Sequence, residues 1–131
     1  FYLFKLFTKE QEKYLSLDIV DKYNEYSMIV SPEELIGLPS INFVEAMCCN
    51  CAYIGLDSDI YYSLGLDKDK HFIAYDGTLE NLLEKIEYYQ SNPDELELIA
   101  NNGYEFAKKK FANQVVKEKF YQYLSSQLLA S

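Results

Sequence analysis

The chain contains no arginine and no tryptophan, a single histidine, His71, and only three cysteines, Cys48, Cys49 and Cys51. Without arginine there is no planar fork to grip a phosphate or a carboxylate with two parallel bonds. One imidazole and a cysteine cluster without Cys-x-x-Cys spacing argue against a dedicated metal site, zinc above all. The cysteines are odd in number and adjacent, unlike the even, dispersed set of a secreted disulfide framework. They are expected to be reduced and buried in a packing role, in a cytoplasmic domain. Positive charge is also scarce. Twelve lysines face 21 acidic residues, a net charge of −9. A nucleic-acid binder needs a basic face, so nucleic acid is excluded as a partner. No apolar run approaches the ~20 residues of a transmembrane segment. Lys5 and Lys9 break up the short aromatic stretch at the start, so nothing there reads as a signal peptide. The first residue is Phe1, from which the chain is expected to be a fragment or an excised domain.

Apolar material, in contrast, is ample. Of 131 residues, 49% are hydrophobic, enough to fill one core. A single domain over residues 1–131 is expected. Phe1 to Phe7 is β-prone, and Thr8-Lys9-Glu10-Gln11 has the form of a capped helix start, with helical character continuing through Ile19, Val20 and Tyr23. Ser27 to Val30 reads as a short buried strand ended by Ser31-Pro32. Gly37, Pro39 and Ser40 mark a loop. Ile41 to Cys49 is a helix apolar almost all round, expected to be buried, with Asn50 as a left-handed stop. Ala52 to Leu56 and His71 to Tyr75 are further strands. Thr78 starts a helix whose Leu79, Leu82, Leu83 and Ile86 form one apolar stripe. Asn92-Pro93-Asp94-Glu95 starts another, which Gly103 is expected to end; Tyr104 to Phe111 and Asn113 to Leu124 follow as helices. Strands alternating with helices predict an α/β fold, a parallel sheet with flanking helices.

The stretch from Gly37 to Ile54 carries the functional signal. The helix start at Ser40, Ile41, Asn42 and Phe43 should offer unpaired backbone N–H groups and a positive dipole end, which suits a phosphate or diphosphate. Glu45 lies one turn in, on an otherwise apolar helix. A buried carboxylate there needs hydrogen-bond partners. It can accept two hydroxyls, as a ribose diol presents, or be held by neighbouring backbone N–H groups.

This stretch resembles the carboxyl-terminal domain of GT-B fold glycosyltransferases, in their group 1 and spore-protein-like branches. Glu45-Ala46-Met47 match the pattern, Cys49 and Cys51 fall on its two cysteine positions, and Asn50 stands where it has glycine. Tyr26 to Pro32, Phe72 to Thr78, Asn92 to Gly103 and Phe111 are similar to the flanking elements, so the likeness spans about Ser27 to Leu124. It implies a Rossmann-like half of a GT-B fold that binds a nucleoside-diphosphate sugar. The glycosyl group would pass to a glycan or lipid-linked acceptor, as in polysaccharide biosynthesis. Glu45 then holds the donor ribose, and Ser40 to Phe43 face the diphosphate. No cofactor or metal is implied, because protein dipoles and cations stabilise the leaving group. An N-terminal Rossmann-like domain would complete the cleft, and this chain alone would be inactive. A cytoplasmic location follows, with peripheral contact at the inner membrane face for a lipid-linked acceptor. Three features depart from the pattern. The glutamate that group 1 members carry eight residues before Glu45 is Gly37 here, with Glu33 and Glu34 out of register. The arginine of the spore-protein-like branch is absent. The basic first strand and loop have only Lys5 as a weak counterpart. These departures keep a second reading open, a non-catalytic nucleotide-sugar-binding or structural α/β module.

Outside this stretch the signals are weaker. Gly37 and Asp57 are candidate sugar contacts. Asp57 and Asp59 follow a strand at the edge where ligands gather, yet either serves equally well as a helix cap near Ile60. His71 stands at a strand start, where an exposed side chain is as good a reading as a catalytic base. Lys108 to Lys110 read as a solvated face near a helix end.

Overall fold

A computed structural model describes residues 18–34 and 37–129. The expected strand at Phe1 to Phe7 and the helix start at Thr8 lie outside the described residues. The described elements alternate: α1 (Ile19–Asn24), β1 (Met28–Val30), α2 (Asn42–Cys48), β2 (Ala52–Leu56), α3 (Asp59–Ser63), β3 (Ile73–Tyr75), α4 (Leu79–Ser91), α5 (Pro93–Phe111) and α6 (Asn113–Leu129). The strands form one parallel sheet in the order β1-β2-β3, with Met28 opposite Ala52 and Ile54 opposite Ile73. This is an α/β, Rossmann-like arrangement of a parallel sheet between helices.

Strand side chains alternate between two cores, as a sheet covered on both faces requires. Tyr53, Phe72 and Ala74 face one way and pack with Phe43 and Met47 of α2, Tyr61 of α3 and Phe106 of α5. Ala52, Ile54 and Ile73 face the other way, against Tyr89 of α4 and Leu96, Ile99 and Ala100 of α5. α5 therefore serves both cores, its first half on one face and its last half on the other. It crosses the amino-terminal edge of the sheet between them.

Gly103 sits at that crossing. It does not end the helix, as expected, but lies inside a continuous 19-residue one. A Cβ on it would lie 2.8 Å from the backbone oxygen of His71 and 3.3 Å from Met47 Cγ. The glycine is there for close approach and not for a turn. The true break comes at Ala112, whose extended backbone (ψ 139°) separates α5 from α6.

Other expectations shift in detail. Asn50 does close α2 in the left-handed conformation (φ 56°), and the Thr78 hydroxyl caps α4 by accepting from the Asn81 N–H at 3.2 Å. α2 is buried on one side only: Phe43, Ala46 and Met47 face inward, whereas Ile41, 68% exposed, stands just outside the helix in solvent. Among the described residues β1 stands at one edge of the sheet, and its last residue, Val30, is exposed. The strand expected from His71 begins at Ile73, and Phe72 makes only an isolated bridge to Lys68. In α4 the inward line runs through Leu82, Ile86 and Tyr89. Leu83 lies about a quarter-turn off that line and Leu79 lies in the first turn, so both are exposed.

Gly103→Ala sets two effects against each other. Alanine favours a helix interior by about 1 kcal/mol, but overpacking against a fixed backbone oxygen costs about 1–3 kcal/mol. The variant should be less stable than wild type by denaturant unfolding. Equal or higher stability would show that α5 can move off the sheet edge freely.

Candidate functional site

In an open parallel sheet, loops at the carboxyl ends of strands and the helix starts that follow them collect ligands. Here that edge carries Ser31 to Glu34 after β1, the start of α2, and Asp57 after β2. Ser31 and Ser40 are both buried. The Ser31 hydroxyl donates to Ser40 Oγ at 3.3 Å and accepts from Asn42 Nδ2 at 2.9 Å. Ser40 Oγ in turn accepts from the Asn42 N–H at 3.2 Å. Ser31, Ser40 and Asn42 thus pin the start of α2 to the end of β1.

This network changes the expected anion site. The Asn42 N–H is taken by Ser40 Oγ, and the Phe43 N–H donates to the Ser40 carbonyl at 3.2 Å. Two of the N–H groups expected to be unpaired are therefore engaged within the chain. Phe43 itself turns into the core, edge-on to Tyr61 and Phe111. The half-buried Asn42 side chain and the exposed Ile41 are what the helix start presents, while the Ser40 hydroxyl is buried.

Glu45 is half-buried, and no backbone N–H holds it. Its Oε2 accepts from the Tyr23 hydroxyl at 3.2 Å. Among the described residues its second oxygen has no hydrogen-bond partner. Tyr23 is itself buried, on α1, against Ala46 and Cys51. Burial, with the Glu45 charge beside it, pushes its phenol up to about 12, so it stays a donor. No sequence signal points to this partner, because the two residues stand 22 apart. Gly37, eight positions before Glu45, is exposed and left-handed (φ 75°), and no carboxylate stands in for it from Glu33. That side chain is drawn back into the sheet, where its Oε1 accepts from the Leu56 N–H at 3.1 Å and from the Tyr61 hydroxyl at 3.0 Å.

Tyr61 extends a buried chain. Its hydroxyl oxygen lies 2.8 Å from that of Tyr53, which reaches the Ser31 carbonyl at 3.1 Å. Two protons serve three contacts. Gly55 leaves room for it, since a Cβ there would lie 2.6 Å from the Tyr53 ring and 3.1 Å from that of Tyr61.

The sequence model of the glycosyl transferase-like family matches residues 9–121, all but the two ends of the chain. The chain belongs to the glycosyl transferase-like family. No curated protein matches it. A glycosyl transfer domain works between a sugar donor and an acceptor. Glu45 and Asn42 of this glycosyl transferase-like domain stand on one helix, and Ser40, just before it, anchors that helix to the carboxyl edge of the sheet.

The remaining candidates are placed as follows. The Asp57 carboxylate is engaged by the Tyr62 hydroxyl and by Lys68 Nζ at 3.1 Å. The Tyr62 bond first, then the lysine, holds its carboxyl below the usual range. Neither Asp57 nor Asp59 caps α3. Ser58 does, accepting from the Ile60 N–H at 3.3 Å. His71 is mostly buried. It packs on Phe106 with centroids 4.9 Å apart and accepts the Asp67 N–H on Nδ1 at 2.9 Å, and burial holds its imidazole below the ordinary value. Cys51 is buried as expected, and burial pushes its thiol up to about 11; Cys48 is exposed instead. Among the described residues no cluster of three His, Cys, Asp or Glu side chains is arranged to hold a metal ion, and no helix is long and apolar enough to cross a membrane.

The buried phenols set an alkaline limit. Burial raises Tyr53 to about 12 and raises Tyr61 further. Unfolded tyrosine ionises near pH 10, so above that pH the unfolded chain releases protons that the folded chain keeps. Stability is full below about pH 10 and falls as pH rises toward 12. Urea unfolding across that range should show the decline, and it should be shallower in Tyr53→Phe. An equal slope in the variant would contradict the assignment.

Proposed function

We propose that this chain is the donor-binding, carboxyl-terminal half of a GT-B glycosyltransferase, completed by an N-terminal Rossmann-like domain. It takes a nucleoside-diphosphate sugar, and the glycosyl group passes to a glycan or a lipid-linked acceptor. The observation that carries the reading is the carboxylate of Glu45, with one oxygen tethered by Tyr23 and the other open among the described residues. A carboxylate fixed in this way is prepared to accept a ribose hydroxyl, because its orientation is set before the ligand arrives.

The Ser40 hydroxyl and the Asn42 carboxamide lie around the diphosphate, with the backbone of Ile41 and Phe43 beside them. Gly37 and Asp57 flank the sugar. The donor is a substrate, and the reading needs no resident cofactor or metal. It fits a cytoplasmic enzyme of polysaccharide assembly, peripheral to the inner membrane face where the acceptor is lipid-linked. A second reading, a binding or structural module without transfer, is favoured by Gly37, which brings no carboxylate where group 1 members have one.

Ligand-observed NMR with UDP, GDP and ADP tests the donor site. One nucleotide should bind selectively, and Glu45→Ala should weaken it by about tenfold, the loss of a charge-assisted hydrogen bond. A folded Glu45→Ala protein that binds the same nucleotide unchanged would remove Glu45 from the site. Transfer by the parent enzyme, abolished in Glu45→Ala, separates the first reading from the second.

A further inference from the structure

Three asparagines meet at the opposite end of α2 from Ser40. Asn24 is the last residue of α1, Asn50 follows α2 in its left-handed conformation, and Asn101 lies on α5. With Tyr104, Glu105 and Cys48 they line an open cavity of about 560 Å³. Among the described residues these three carboxamides make no hydrogen bond, and neither do the Tyr104 hydroxyl and the Glu105 carboxylate. Three asparagines outside it use theirs: Asn42 donates to Ser31, Asn81 accepts from the Asp76 N–H, and Asn92 donates to the Tyr88 carbonyl. At this cavity three open carboxamides, a phenol and a carboxylate are gathered in one place.

The chemistry of that lining is selective. A carboxamide carries a donor group and an acceptor side by side, which suits neighbouring hydroxyls that both give and accept. Tyr104 adds an aromatic ring with a polar tip, held from one side by Lys108 Nζ, 5.6 Å from its centroid. The charge on the lining is the carboxylate of Glu105, on a chain of net −9, which disfavours phosphates and other anions. A peptide would want a deep apolar anchor, and the cavity offers it only cysteines and the one ring. The geometry points to a neutral saccharide as the ligand of this cavity, at the amino-terminal edge of the sheet. The site is separate from the carboxyl edge assigned to the donor and does not depend on that assignment.

Side-chain amide NMR on the whole chain tests it, with maltopentaose, cellopentaose and chitopentaose as probes. One of them should shift the carboxamide signals of Asn24, Asn50 and Asn101 in a saturable way and leave those of Asn81 and Asn92 in place. Replacing two of the three exposed asparagines, Asn24→Ala with Asn101→Ala, should weaken that binding by about tenfold, two hydrogen bonds' worth. Glu45→Ala should leave it unchanged, so failure at the donor site is told apart from failure here. The proposal is overturned if no probe moves the three carboxamides of the folded protein. It is equally overturned if the double variant binds with wild-type affinity.

Discussion

The fold depends on one close approach. α5 changes faces of the sheet at its amino-terminal edge, and Gly103 lets it pass within contact of the His71 carbonyl and the Met47 side chain. The consequence reaches both cores. Leu96, Ile99 and Ala100 seal one face, while Phe106 and Ala107 seal the other. Among the described residues the sheet has three strands, with little area of its own, and one long helix joins the cover of both its faces. The same crossing fixes α2 through Met47, and so fixes the helix on which Glu45 stands.

The carboxyl edge is stiffened by different means. Ser31, Tyr53, Tyr61 and Glu33 form a buried polar chain from the end of β1 to α3, and Ser31, Ser40 and Asn42 tie that chain to the start of α2. Buried polar groups are costly unless bonded, and no buried side-chain N or O among the described residues lacks a partner. Ser31 and Glu33, just after β1, are thereby tied to β2, α3 and the start of α2. Side chains fixed in this way lower the entropic cost of binding a ligand beside them.

Much of this was legible in the residues, and what was not has definable reasons. Thr78 and Asn50 act locally, through a cap bond and a backbone angle, so the sequence announces them. Ala52 to Leu56 is bounded by turn residues and appears as expected. The role of Gly103 is not legible because a glycine required for close packing and one required for a turn look alike in sequence; only the neighbour at 2.8 Å tells them apart. Leu79 and Leu83 have helical spacing, but spacing does not say where the sheet ends. At the site, the family likeness singled out Glu45, whereas its partner Tyr23 and the inward turn of Glu33 depend on contacts between residues 22 or more apart. The N–H groups of Asn42 and Phe43 were expected to be open because nothing in a linear sequence shows that Ser40 folds back to take them.

Charge bears on how the proposed donor site would work. Lys22, Lys68, Lys70 and Lys85 each face a carboxylate of the same chain. Exposed pairs of this kind contribute little to stability, about 0–1 kcal/mol, but each cancels a cation that a diphosphate would otherwise attract. The remaining field is acidic, and the polar side chains at the start of α2 are neutral. On the proposed reading this chain supplies orientation, through Glu45, Ser40 and Asn42, and the charge that offsets a departing diphosphate comes from the facing half. Binding and chemistry would then be divided between two surfaces. A carboxylate placed for ribose repels an anionic ligand unless it lies away from the phosphates, and one turn into the helix is such a position.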